Sequence, residues 1–249
     1  MDKEKRRLKA LPGILLVVTA VGMFNLGSYA IPSFQDYIAD EVYEDELLIT
    51  DMTHLALCAV CFILIVLFIL CGKPNLLLPA AVLFVIEEFT FSWGEPSIIC
   101  SAILCVICFC QAKDESRDWI SIAALLLYGG MLCYQILELV YTAAVYLTDD
   151  REPVVPVLLS ILVVVLLAVS IKFVRRKGDA IWLKYAAAFY LVQYVLQVVR
   201  MTFTYGAEAS FEDSLLLTVF NLFVMIFVSP DILLSIYLLI RKKDALILH

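Results

Sequence analysis

Eight long apolar blocks, joined by short charged links, restrict this chain more than any other feature of its sequence. They run Leu11–Ile31, Met52–Cys71, Leu76–Trp93, Ser97–Cys110, Trp119–Leu147, Val154–Val174, Ile181–Tyr205 and Leu215–Ile240. Crossing the hydrocarbon of a bilayer takes roughly 20 apolar residues in a helix. A β-barrel shows short alternating segments, whereas these runs are continuous. Inside lipid a helix satisfies its own backbone hydrogen bonds, so each block reads as a helix, the fourth a short one. The 63% hydrophobic content and mean hydropathy of +0.95 lie above a soluble domain, which sits nearer half apolar. The expected fold is an all-α integral membrane protein. It is a bundle of about eight transmembrane helices forming one domain over residues 1–249, with no soluble domain.

The charges give this bundle a direction. Of the 18 basic residues, all but Arg151 and Arg200 fall on one side, on links, tails and the adjoining block ends, from Lys3, Lys5 and Arg6 through Lys113 and Arg175-Arg176-Lys177 to Arg241-Lys242-Lys243. Short loops rich in Lys and Arg stay cytoplasmic, so both termini are expected inside. An even number of spans satisfies this, and eight is even. The basic runs are then topogenic and lie against anionic lipid; with no soluble domain to present them, no nucleic-acid partner is expected. The expected partner is the lipid bilayer, together with a small solute or ion or a second membrane protein. Short loops and the lack of any Asn-x-Ser/Thr sequon fit a multi-pass protein of a bacterial plasma membrane.

Two segments carry extra readings. Ser28-Tyr29-Ala30 closes the first block like a signal-peptidase site, but the block is longer than a usual signal core, so an uncleaved anchor is expected. Residues 32–51 form the largest link, an acidic extracytoplasmic loop with seven Asp and Glu and no Lys or Arg. After Pro32, Ser33-Phe34-Gln35-Asp36 resembles a capping box and predicts a new short helix there. The acidic residues lack the regular Asp-x-Asp-x-Asp-Gly spacing of a calcium loop.

All eight cysteines fall in or at the ends of blocks and are expected to be reduced. Cys58-x-x-Cys61 and Cys105-x-x-Cys108 place two thiols on one helical face, half of a soft-metal site. No histidine or third ligand joins either pair in the sequence, so they read as small hydrophobes, with no metal or cofactor implied.

Polar residues inside apolar blocks are costly, about 2.5–3.5 kcal/mol for a charge at mid-membrane, and tend to serve a purpose. The candidates are Asn25, Glu87, Glu88, Gln135, Glu138, Gln193, Gln197, Arg200 and Asn221, with His54 at the start of the second block and Asp231, after Ser229-Pro230, deeper in the last. Asn25, Glu88, Glu138, Arg200 and Asn221 lie about 6–11 residues, roughly 9–16 Å, below the outer end of their helices. Helical stripes continue the pattern: Tyr190, Gln193, Gln197, Arg200 and Thr204; Tyr134, Gln135, Glu138, Tyr141 and Thr142; Ser214, Thr218 and Asn221. Arg200 is expected to pair with a carboxylate of the third or fifth block rather than reach the headgroups.

Several chemistries lack their residues. With only His54 and His249, a bis-histidine haem is excluded, as are His-based zinc protease motifs. No lysine lies mid-block for a retinal Schiff base, no arginine ladder marks a voltage sensor, and no phosphate-binding loop is present. Glu87-Glu88 resembles the first motif of intramembrane CAAX-type proteases, but Ser92 stands where that motif has arginine and its later histidines are missing. The leading expectation is a small-solute or ion permease, or a membrane binding subunit, with a polar cavity in the outer half. The alternative is a non-catalytic sensor or accessory subunit whose polar residues only hold helices together. An intramembrane acid–base enzyme, using Glu87 or Glu88 with Glu138, ranks third.

Overall fold

The computed structural model describes residues 10–38, 45–91, 96–114, 116–148, 154–176, 180–205, 226–227 and 229–240. Among these the chain is all-helical, with no strands. Eight α-helices are described in chain order: α1 Ala10–Ile38, α2 Asp45–Cys71, α3 Leu77–Phe91, α4 Pro96–Lys113, α5 Trp119–Thr148, α6 Val154–Val174, α7 Ala180–Tyr205 and α8 Pro230–Ile240. Each apolar block thus contains or becomes a helix. Among the described residues four stretches are long and apolar enough to cross a membrane: Ala10–Pro32, Ile49–Cys71, Trp119–Ala144 and Val157–Val174. Of the others, α3 has 15 residues, and α7 has 26 but carries Lys184, Gln193, Gln197 and Arg200.

The helices fall into two compact units, Met1–Trp119 with Phe227–Pro230, and Ile120–Ile226 with Asp231–His249. The boundary lies where a division into four plus four helices would place it. In the first unit α1 packs on α2, α2 on α3, α3 on α4, and α4 returns to α1. Leu15, Cys61, Ile65, Leu77, Ala80 and Leu104 are buried in this ring. In the second unit α6 and α7 form an antiparallel hairpin. Its closed end is held by Phe173, whose ring stacks on Trp182 and on Phe189, each with centroids 5.5 Å apart, while Arg176 lies 4.4 Å from the Trp182 ring.

Local chemistry explains the turns. α2 stops at Gly72, the residue with a left-handed φ of +67°, whose N–H returns to the Phe68 carbonyl at 2.8 Å. Pro74, two residues on, opens a single 3-10 turn, Pro74–Leu76, that feeds α3. Between α4 and α5, Asp114 accepts the Ser116 amide at 3.0 Å and the Ser116 hydroxyl at 2.6 Å, and meets Arg117 Nε at 3.2 Å. The Trp119 indole N–H donates to the Asp114 carbonyl, closing the turn.

The acidic segment is more helical than its sequence suggests. No new helix starts at Ser33; α1 runs through Pro32 to Ile38, and α2 already begins at Asp45. Proline removes one N–H from a helix but leaves the flanking turns able to bond, so a capping-box pattern alone did not stop this one. Ser28-Tyr29-Ala30 lies within the same helix, with Ala30 buried. At the other end of the chain the last block is interrupted. Residues 226–227 are helical, Ser229 is not, and α8 starts at Pro230, the position a proline favours at a helix start.

Candidate functional site

Two helices of the second unit, α5 and α7, are tied twice along their length. At one tie the Tyr128 and Tyr190 rings stack with centroids 4.1 Å apart, 13° from parallel. At the other, Arg200 Nη2 of α7 donates to Glu138 Oε1 of α5, while Arg200 Nη1 donates to Ser160 Oγ of α6 at 2.8 Å. Both ties are ten residues apart on each helix, so α5 and α7 run parallel and in register. At 1.5 Å per residue the ties are about 15 Å apart. Parallel direction is what helices two places apart in an up-and-down bundle require.

The Tyr128–Tyr190 tie continues into α8. The Tyr190 hydroxyl donates to Asp231 Oδ2. Ser235 Oγ donates to the Asp231 carbonyl at 2.7 Å, so the 2.6 Å contact between Tyr128 and Ser235 has the tyrosine hydroxyl as donor. Asp231 sits in the first turn of α8, where the unpaired amide groups and the helix dipole favour a carboxylate. All four side chains are buried. This cluster was only partly legible: Tyr190 belonged to a visible stripe and Asp231 stood out, but Tyr128 and Ser235 did not. Ser235, four residues after Asp231 on one face, was the available signal. Lys184 Nζ donates to the Leu239 carbonyl at 3.2 Å, placing the start of α7 beside the end of α8.

Between the ties lie two glutamines. Gln135 on α5 and Gln193 on α7 are fully buried, and among the described residues neither side-chain oxygen nor nitrogen of either has a hydrogen-bond partner. Gln135 is one turn from Glu138; Gln193 is one turn from Tyr190 and two turns from Arg200. The second carboxylate oxygen of Glu138 is likewise buried without a partner. Leaving such a group unsatisfied costs about 1–3 kcal/mol, so four amide atoms without partners is a large departure from ordinary packing. The buried stripe on α7 includes Tyr190, Gln193 and Arg200, with Gln197 half-buried. On α5 it includes Gln135 and the partly buried Glu138, but Tyr141 is 71% exposed and points away, correcting its place in that stripe. Three and six residues beyond Gln135, Glu138 and Tyr141 step progressively round the helix, since two turns need about seven residues.

The remaining candidates sit elsewhere. Asn25, Glu87 and Glu88 belong to the first unit. Asn25 is half-buried on α1, its carbonyl accepting the Ser28 hydroxyl at 2.6 Å. Glu87 and Glu88 are both buried on α3. Glu87 Oε1 receives two groups from α2, His54 Nε2 at 2.8 Å and Cys58 Sγ at 2.9 Å. Asn221, with Ser214 and Thr218, lies outside the described residues.

All eight cysteines are free thiols. Cys105 and Cys108 are buried on α4 as an apolar pair. Cys61 is buried as well, its thiol 3.8 Å from the Ala80 carbonyl. Cys58 differs from the rest in facing a histidine and a carboxylate.

No family model matches this chain, and neither the curated proteins nor the solved structures include a significant match to it.

Proposed function

We propose that the chain is an eight-span protein of a bacterial plasma membrane, with both termini cytoplasmic, whose second unit binds and passes a small solute or ion. The observation that carries this reading is the pair of buried, partnerless amides, Gln135 and Gln193, set between the Tyr190–Asp231 and Arg200–Glu138 clusters on two parallel helices. Helix packing alone rewards hydrogen bonds that are made, at about 0.6 kcal/mol each between membrane helices. It does not reward amides with nothing to bond. Donors and acceptors of both kinds, left open between an acid–arginine pair and a buried acid, suit a polar or ionic guest that replaces its water shell with side chains.

The distribution of polarity supports the membrane setting. Charged and amide side chains of Glu87, Glu88, Gln135, Gln193, Arg200 and Asp231 are buried. Phe24, Leu70, Phe89, Leu137 and Val140 are exposed, each by more than 60%. A water-soluble protein does not expose apolar side chains so generally while burying its charges, whereas lipid favours that arrangement. α7 is then a span whose polar face turns inward, and α3 a short span extended by the Pro74–Leu76 turn.

Purified protein in proteoliposomes, assayed for uptake against a panel of monovalent cations, amino acids and small organic anions, tests the reading. Uptake of one class that is lost in Gln193→Leu supports it. Failure of the whole panel, together with stable co-purification of a second membrane protein, overturns it in favour of an accessory subunit.

A further inference from the structure

We infer that the first unit holds a zinc site made by His54 and Cys58 of α2 and Glu87 of α3. The inference goes beyond the solute reading of the second unit and does not depend on it. His54 and Cys58 are four residues apart and share one face of α2. The α2–α3 hairpin brings Glu87 onto that face. One ligand atom from each residue lies within 4.8 Å of the other two, and Glu87 Oε1 is 2.8 Å from His54 Nε2 and 2.9 Å from Cys58 Sγ. The other carboxylate oxygen, Oε2, is buried without a partner among the described residues.

The donor set selects the ion. Calcium and magnesium take oxygen ligands, so an imidazole and a thiol argue against both. Nitrogen, sulfur and carboxylate oxygen together suit Zn²⁺, which takes three protein ligands and leaves a fourth position open in sites that exchange or act. Charge selects it too. A thiolate and a carboxylate around Zn²⁺ sum to zero, whereas around Cu⁺ they leave a buried negative charge. Cys58 and Glu87 are both buried, so neutrality matters here. His54 is the partly open ligand, its side chain 17% exposed, and gives an ion a way in.

Protons hold the same three groups together when zinc is absent. The Cys58 S–H donates to Glu87 Oε1, and a proton lies between His54 Nε2 and the same oxygen. Zinc takes the place of these protons. The Cys58 proton leaves to solvent, His54 presents Nε2 as a lone pair with its proton on Nδ1, and the two contacts to Glu87 Oε1 lengthen to about 3.3–3.5 Å, the edge of a tetrahedron with bonds of 2.0–2.3 Å. That opening of roughly half an ångström is within the reach of side-chain rotation. Cys61, one turn further on, bonds toward Ala80 instead and is not a ligand.

The test uses full-length protein in detergent micelles with the exposed thiols removed by Cys71→Ala and Cys133→Ala. Zinc chloride is titrated against a chromophoric chelator, and cobalt(II) is loaded for its spectrum. One zinc per chain is expected, with a thiolate-to-cobalt charge-transfer band. Cys58→Ser removes the band, His54→Ala and Glu87→Gln each weaken zinc by about tenfold or more, and Cys61→Ser changes neither. X-ray absorption of the zinc-loaded parent keeps the claim testable should a variant fail to fold. One sulfur at about 2.3 Å with lighter ligands at about 2.0–2.2 Å is expected. No stoichiometric zinc, a shell without sulfur, or zinc retained by Cys58→Ser with unchanged affinity would overturn the site.

Discussion

Arg200 of α7 bonds Glu138 of α5 ten residues beyond the point where Tyr190 of α7 stacks on Tyr128 of α5. The equal spacing fixes the register of two parallel helices, and the partnerless Gln135 and Gln193 lie between the two ties. An arginine within a largely apolar helix is unusual, and here it is almost fully buried and shared between a carboxylate and the Ser160 hydroxyl.

The ion pair yields a stability prediction. Removing one partner leaves the other charge buried, which costs about 3–5 kcal/mol for a fully buried pair. Glu138 is a quarter exposed, so Glu138→Gln is expected to cost less, about 2–3 kcal/mol. Arg200→Met on that background should return part of the loss. Thermal unfolding of the four proteins of this cycle in one detergent measures the coupling, and additive effects would contradict a direct pair.

The glutamines yield the opposite sign. A buried amide without a partner is a cost that an apolar side chain of similar size removes. Gln193→Leu and Gln135→Leu are therefore expected to leave the melting temperature unchanged or raise it, by roughly 1 kcal/mol of stability each. If the amides serve a guest, uptake falls at the same time. A variant that loses stability would show that the amides are bonded within the fold.

The turn at Asp114 responds to acid. Hydrogen bonds from the Ser116 hydroxyl and amide, with Arg117 adding to them, hold the Asp114 carboxyl below the usual aspartate range. A depressed carboxylate contributes stability that is present above its unfolded value of about 3.9 and is lost as pH falls through the folded one. The Ser116 amide resonance should therefore shift with a midpoint below 3.9, and Asp114→Asn should abolish the titration. A midpoint at or above the ordinary value would refute the turn's bonding.

Topology can be read with an impermeant thiol reagent on intact cells. Glu44→Cys, Asp149→Cys and Ala209→Cys are expected to react from outside. Lys113→Cys and Lys177→Cys should react only after the membrane is opened. Labelling of Lys177→Cys in intact cells would reverse the eight-span arrangement.

Apolar blocks, their polar interruptions and the helix ends are local properties, and they could be read along the chain with boundaries mostly within a few residues. Arg200 could be expected to find an acid because an isolated charge in lipid is expensive whichever acid answers it. The continuation of α1 through Pro32 could not be read, because a capping pattern and a helix interior compete within a fraction of their bonding energy. Cys58-x-x-Cys61 was visible as one helical face with no histidine joined to it, whereas in the structure Cys58 meets His54, one turn earlier, on a shared carboxylate. Glu87 is 29 residues beyond Cys58 and reaches it only through the packing of α3 on α2. The choice of Glu138 for Arg200, the Tyr128–Ser235–Asp231–Tyr190 cluster and the isolation of Gln135 and Gln193 all depend on which turn of one helix meets which turn of another. Spacing along a helix repeats every 3.6 residues and is written in the sequence; the register between helices is set by side chains packing at contact distance, and only the tertiary structure decided it.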